Sequence, residues 1–176
     1  MRPLFCLLAA SLALVGANAH AALAVGTPAP TFSTDAAVGG EAFKFDLKSE
    51  LKKGPVVLYF YPKAFTSGCT VEAHDFAEAT DKFKALGATV IGISNDNIDT
   101  LKKFSVEACR NKFAVAADAG GKMIKAYDVS LVIKPELADR VSFLIGTDGR
   151  IAAVHSSMAP EGHVDAMLKA VAALKK

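Results

Sequence analysis

Residues 55–70 read PVVLYFYPKAFTSGCT. Pro55 to Tyr61 is a continuous apolar run stopped by Pro62, the pattern of a strand buried on both faces. A helix is predicted to follow over residues 68–86. Phe76, Ala79, Phe83 and Leu86 recur at helical spacing, and Gly87 is a stop signal. Cys69 then falls in the first turn of a helix, just beyond the C-terminal end of a strand. Open α/β sheets gather their sites at those ends.

That placement bears on chemistry. The first turn of a helix presents free N–H groups and a partial positive charge, and both favour a thiolate over a thiol. Thr66 precedes Cys69 by three residues, where its hydroxyl could point back at the sulfur and also accept from a substrate. On spacing alone, a buried inert cysteine with Thr66 as a plain N-cap reads equally well.

Working outward, helix and strand alternate. Ala42 to Asp46 reads as a short strand after an extended, Pro-containing stretch from Val25 to Asp35. Ala88 to Ser94 is a second buried strand, and Asn95, Asp96 and Asn97 offer N-caps. Ile98, Leu101, Ser105 and Ala108 form one stripe, so a helix is predicted over residues 97–110. Phe113 to Ala117 is a strand and Lys122 to Tyr127 a helical turn or two. Val141 to Gly146 and Ile151 to His155 pair around an Asp148-Gly149 hairpin signal. Val164, Met167, Leu168, Val171 and Leu174 mark a closing amphipathic helix. Buried strands separated by helices imply βαβ units. The expected fold class is α/β: a thioredoxin-like, three-layer arrangement with a central mixed sheet and helices on both faces. A fold of this kind does not assign a function.

The 176 residues are about one domain's worth, and 52% hydrophobic content excludes a disordered chain. A net charge of +2 gives no field strong enough to draw a nucleic acid. Residues 1–24 read as a secretory signal peptide, with Arg2 as the positive end, an apolar run from Leu4 to Val15, and small residues from Ala17 to Ala24. Three small-x-small sites, ending at Ala19, Ala21 and Ala24, could be cleaved; an uncleaved anchor is the alternative. Cleavage would leave a periplasmic or secreted domain over residues 25–176, free of the membrane, with Cys69 and Cys109 as its thiols. Two thiols in an oxidising compartment tend to pair.

The stretch Pro62-x-x-x-Thr66-x-x-Cys69 also resembles the active-site motif of the peroxiredoxins. YFYPKAFTSGCT is similar to the Q-type branch, the bacterioferritin comigratory proteins, and the likeness runs from about Val25 to the final helix. The resemblance implies thiol-dependent reduction of hydrogen peroxide and organic hydroperoxides, with neither metal nor organic cofactor. The cysteine matching Cys69 attacks the terminal peroxide oxygen and becomes a sulfenic acid. Pro62 would shield the pocket from water, Thr66 would hold thiolate and peroxide, and Arg140, just before a strand, would complete the site. A guanidinium suits that role because it stays cationic and holds its donors in a rigid fork. Read from the residues alone, Arg140 fits a surface salt bridge with Asp139 or a neighbour.

The sequence departs from the branch in one respect. Many Q-type members carry a second cysteine five residues after the first, where this chain has His74. Cys109, on the second predicted helix, is the remaining candidate to resolve the sulfenic acid as an intramolecular disulfide; a core cysteine with an outside resolving thiol is the alternative. The resemblance further implies a thioredoxin-like or glutaredoxin-like reductant and a monomer. His74 and Glu72 read as polar-face residues, Glu72 solvated, and His155 and His163 stand outside any motif.

Three rival classes remain. A thioredoxin-type oxidoreductase needs Cys-x-x-Cys, but position 72 is Glu. A copper or zinc binder would rest on Cys69 and His74, a weak spacing. A binding module that has lost the reaction sits poorly with Pro62, Thr66, Cys69 and Arg140 together.

Overall fold

A computed structural model of the protein describes residues 22–174. The elements are β1 (Ser33–Val38), β2 (Glu41–Asp46), α1 (Leu47–Leu51), β3 (Val56–Phe60), α2 (Ser67–Ala85), β4 (Thr89–Ser94), α3 (Ile98–Glu107), β5 (Ala114–Ala117), α4 (Lys122–Ala126), β6 (Val141–Ile145), β7 (Ile151–Ser156) and α5 (His163–Ala173). The strands form one sheet in the order β2-β1-β5-β4-β3-β6-β7. The central pairs β3–β4 and β4–β5 are parallel, and the flanking pairs are antiparallel, so the sheet is mixed. Strand β3 lies inside the sheet between β4 and β6 with helices on both faces, which is why all five of its residues are buried.

Alternation along β3 divides the core. Val57 and Tyr59, with Tyr61 just beyond the strand, face a cluster with Phe76 and Phe83 of α2, Leu101 and Phe104 of α3, and Met167 and Val171 of α5. Val56, Leu58 and Phe60 face the opposite cluster, with Leu47 and Leu51 of α1 and Ile124 of α4. Helices cover both faces, as expected for a thioredoxin-like α/β fold. Tyr59 lies flat on Phe76, with ring centroids 4.4 Å apart. Gly92 on β4 makes room for that ring: a Cβ there would stand 2.7 Å from Tyr59 Cζ.

Three local readings change. Strand β1 begins inside the stretch read as extended, because Ser33 to Val38 pairs in full with β2. Helix α1 went unpredicted; Asp46 caps it by accepting from the Ser49 backbone N–H at 2.8 Å. Helix α3 ends at Glu107, so Cys109 lies beyond the helix and not on it. The chain leaves the helix through Arg110 and Asn111, both with positive φ (50° and 60°), and Asn is among the side chains that tolerate that region.

The leader expected over residues 1–24 lies outside the described residues as far as residue 21. The next stretch is tied down: Leu23 donates its backbone N–H to Tyr127 O at 3.3 Å, and Gly26 to Ile151 O at 2.7 Å. Among the described residues no helix is long and apolar enough to cross a membrane.

Candidate active site

Strand β3 ends at Phe60, and Pro62 to Thr66 form the loop into α2. Asp96, read from sequence only as a possible cap, holds this loop: its Oδ2 accepts from the Ala64 backbone N–H (2.7 Å) and the Ser94 hydroxyl (2.8 Å). Asn97 is the actual N-cap of α3, accepting from Thr100 N at 2.9 Å. Thr66 is the N-cap of α2 by its backbone, but its hydroxyl makes no cap bond. Instead it donates to Lys63 O at 3.0 Å, so the expectation that it points back at the sulfur is corrected: a carbonyl three residues earlier takes its proton. Pro62 is half-buried and Thr66 is exposed.

Cys69 is buried in the first turn of α2 and is a free thiol. Arg140, on the segment leading into β6, reaches it with Nη2 3.5 Å from Sγ. The guanidinium is only 4% exposed, so the salt bridge with Asp139 open to it on sequence grounds does not form; Asp139 instead accepts from the Arg140 backbone N–H. The other arms are also held. Nε donates to Met158 O at 3.0 Å, and Nη1 pairs with Glu72 Oε2. Gly68 leaves space for this fork: a Cβ there would lie 3.2 Å from Arg140 Nη2.

Glu72 corrects another expectation. It is fully buried, not solvated. The signal was present, since Glu72 lies three residues after Cys69 and four before Phe76, on the buried face of α2. Behind it stands His163 of α5, also fully buried, with Nδ1 2.8 Å from Ser142 Oγ and Nε2 3.0 Å from Ser157 O. Sequence offered no motif for His163, because its partners come from β6 and from the segment after β7. Burial pushes the Glu72 carboxyl up to about 8 despite the pull of Arg140. Burial likewise pushes His163 down to about 4. Arg140 is held above its usual value: burial works against its charge, but Glu72 and Cys69 outweigh it.

Cys109 is also fully buried, in the same cluster as Cys69, Tyr59, Tyr61 and Phe104. Burial drives its thiol well above the usual cysteine range. Thus the structure brings Arg140 to Cys69, leaves Pro62 half-buried and Thr66 exposed on the loop before α2, and keeps Cys109 in the core. His74 is half-buried on α2. Among the described residues no group of three or more His, Cys, Asp or Glu is gathered as a metal site.

A buried cysteine at a helix start, met by an arginine fork from the segment before β6, can be compared with known proteins. The AhpC/TSA family matches residues 25–154. The chain belongs to the peroxiredoxin family. It is 35% identical over 128 residues to a chloroplastic peroxiredoxin Q of Sedum lineare, covering 72% of this chain and 68% of that one. It is 34% identical over 154 residues to a putative peroxiredoxin bcp of Helicobacter pylori, covering 85% of this chain and 98% of the other. The match spans only 59% of the peroxiredoxin Q of Populus jackii, which is longer. Among solved structures, the peroxidoxin BcpB of Mycobacterium tuberculosis superposes with a TM-score of 0.77 at 31% identity, over 86% of this chain and 98% of that one. This peroxiredoxin is therefore an enzyme of the thiol peroxidase class, on the thioredoxin-like fold that its sheet order displays.

Proposed function

We propose that this peroxiredoxin reduces hydrogen peroxide and organic hydroperoxides through Cys69, with Cys109 as the resolving thiol and a thioredoxin-like protein as the final reductant. The observation that carries the reading is the Arg140 fork, which presents one N–H to Cys69 Sγ while its other arms are held by Glu72 and the Met158 carbonyl. A cation fixed in this way waits where negative charge develops on the peroxide oxygens.

The first step is a displacement. The Cys69 thiolate bonds to the terminal peroxide oxygen, the O–O bond breaks, and the leaving alkoxide or hydroxide takes up a proton. Sulfur is oxidised to a sulfenic acid and the peroxide is reduced to an alcohol or water. Pro62 narrows access for water, and the Thr66 hydroxyl stands at the mouth to meet the substrate.

In the second step Cys109 attacks the Cys69 sulfur and releases water as a disulfide closes. A buried thiol driven up in this way is not a ready nucleophile. Cys69 is in the first turn of α2 and Cys109 lies past the end of α3. Disulfide geometry needs Cα atoms within about 4.4–6.8 Å, so the reading includes local unwinding around one or both. A dithiol donor then reduces the bond by exchange. Export through the residue 1–24 leader is part of the proposal; the anchoring of Leu23 favours cleavage at or before Ala21. Cys69, Arg140 and Cys109 all come from one chain, so a monomer suffices.

Peroxide consumption with a dithiol donor tests the reading, with Cys69→Ser as control. Wild type should turn over and the variant should not. Peptide mapping after one equivalent of peroxide should show a Cys69–Cys109 link. A persistent sulfenic acid or a mixed disulfide with an added thiol would remove Cys109 from the scheme while leaving Cys69 in it. N-terminal sequencing of exported protein checks the leader.

A further inference from the structure

Behind the site lies a group the steps above leave unused: Glu72, His163 and Ser142. Two acidic groups face Arg140, with Cys69 Sγ at Nη2 and Glu72 Oε2 at Nη1. If both were ionised, one negative charge would be left without a counter-ion where water is excluded, which is strongly unfavourable. Glu72 Oε1 has no hydrogen-bond partner although it is buried. It lies 3.6 Å from His163 Nδ1. His163 Nε2 faces the Ser157 carbonyl, which can only accept, so the imidazole proton is on Nε2. Nδ1 is then a lone pair, and Ser142 donates to it. An ionised Glu72 would turn a bare oxygen toward a ring edge that offers no donor, whereas a protonated Glu72 turns an O–H toward it and shares the one lone pair that Ser142 already uses.

The surrounding groups push the same way. Asp75, on the same helix, adds negative charge that disfavours a Glu72 carboxylate. Tyr59, facing from β3, is a buried phenol held well above its usual range and therefore neutral. On the His163 side, His155 of β7 packs edge to face at 4.6 Å and opposes a second positive charge, as does Arg140; Asp139 works weakly the other way.

We propose that Glu72 carries a proton in the reduced protein, held on Oε1 toward His163 Nδ1, and releases it as Cys69 is oxidised, so that a carboxylate replaces the thiolate as the counter-ion of Arg140. The inference rests on the peroxidase reading of Cys69. The thiolate bonds to the terminal oxygen, the O–O electron pair goes to the leaving group, and the leaving group gains one proton at the mouth of the pocket. Glu72 gives one proton to solvent. The sulfur is oxidised, the peroxide is reduced, and no net proton is drawn from solution. Arg140 faces one anion before the step and one after it. His163 and Ser142 are positioning residues: they keep opposite Glu72 a ring edge that offers it no donor, and they touch no substrate.

Infrared difference spectra of the full chain, reduced minus peroxide-treated, test this, with intact mass counting oxidised Cys69 in the same sample. The expected result is loss of one protonated-carboxyl carbonyl band on oxidation, sensitive to deuterium and absent from Glu72→Gln. In Ser142→Ala the freed Nδ1 lone pair binds the Glu72 proton more strongly, so the band moves to lower frequency. That arm decides the matter even if Glu72→Gln does not fold. An unchanged carboxyl region in a sample whose Cys69 is oxidised overturns the proposal. So does a band that survives Glu72→Gln, or one unmoved in Ser142→Ala. Absence of peroxide-driven oxidation at Cys69 overturns the peroxidase reading itself, and mass tells the two failures apart.

Discussion

Phe65 meets Phe104 edge to face, with ring centroids 5.2 Å apart. Phe65 stands in the loop before Cys69 with a φ of 64°, a left-handed backbone that bulky residues seldom adopt. Phe104 O accepts the backbone N–H of Cys109 at 3.1 Å. One aromatic contact thus ties the loop of the attacking cysteine to the turn of the proposed resolving cysteine. Phe65→Ala removes a pair worth about 0.5–1.5 kcal/mol and leaves the strained backbone behind. Disulfide formation after oxidation is expected to quicken, by roughly two- to tenfold. Quenched-flow intact mass reads the rate, and an unchanged or slower closure refutes the tie.

Gly68 separates stability from activity. Its backbone lies in the first turn of α2, so alanine suits the helix, but the added Cβ would stand 3.2 Å from Arg140 Nη2. The guanidinium must then shift by a few tenths of an ångström relative to Cys69. Gly68→Ala is expected to keep or raise Tm while slowing peroxide reduction about tenfold, given how steeply rate depends on placement. Melting curves and stopped-flow rates on the same sample check this. A Tm loss that matches the rate loss would count against it.

Glu72 and His163 give the stability a defined pH dependence. Glu72 rises from 4.5 to about 8 on folding, and His163 falls from 6.5 to about 4. Between about pH 6.5 and 8 the folded protein keeps a Glu72 proton that the unfolded chain has already lost, so the contribution of Glu72 to stability falls as pH rises. Between about 4.5 and 6.5 the unfolded chain gains a proton on His163 that the folded form refuses, and the two effects offset. The Cys69 thiolate works the other way, since the unfolded chain keeps that thiol proton, so urea unfolding reads Glu72 by difference: from pH 6.5 to 8 stability should rise more steeply in Glu72→Gln than in wild type. Equal slopes in the two proteins would exclude a raised Glu72.

Gly92 answers for the packing beneath the site. A Cβ there would fall 2.7 Å from Tyr59 Cζ, and Tyr59 is pinned by Phe76. Gly92→Ala should cost about 1–3 kcal/mol by overpacking. Denaturant titration measures it; a neutral result would mean that the Tyr59 ring has room to move.

From β3 onward, sequence alone determined the order of strands and helices, because apolar runs and helical stripes are local patterns and the main chain obeys them. It also set Cys69 at a helix start, since Pro62 ends one element and the stripe from Phe76 to Leu86 defines the next. It stopped short at Glu72, His163, Ser142 and Asp96. Glu72 shares a helix face with Cys69, but a carboxylate is read as solvated until a buried cation is known to face it. Arg140 supplies that cation from a segment distant in the chain. His163 acquires its meaning from Ser142 and Ser157, which sheet pairing and helix packing bring to it. The position of Cys109 was likewise settled by the turn at Arg110 and Asn111, where backbone geometry overrode the helical stripe. Periodicity reports which way a side chain faces; only the folded chain decides what it meets there.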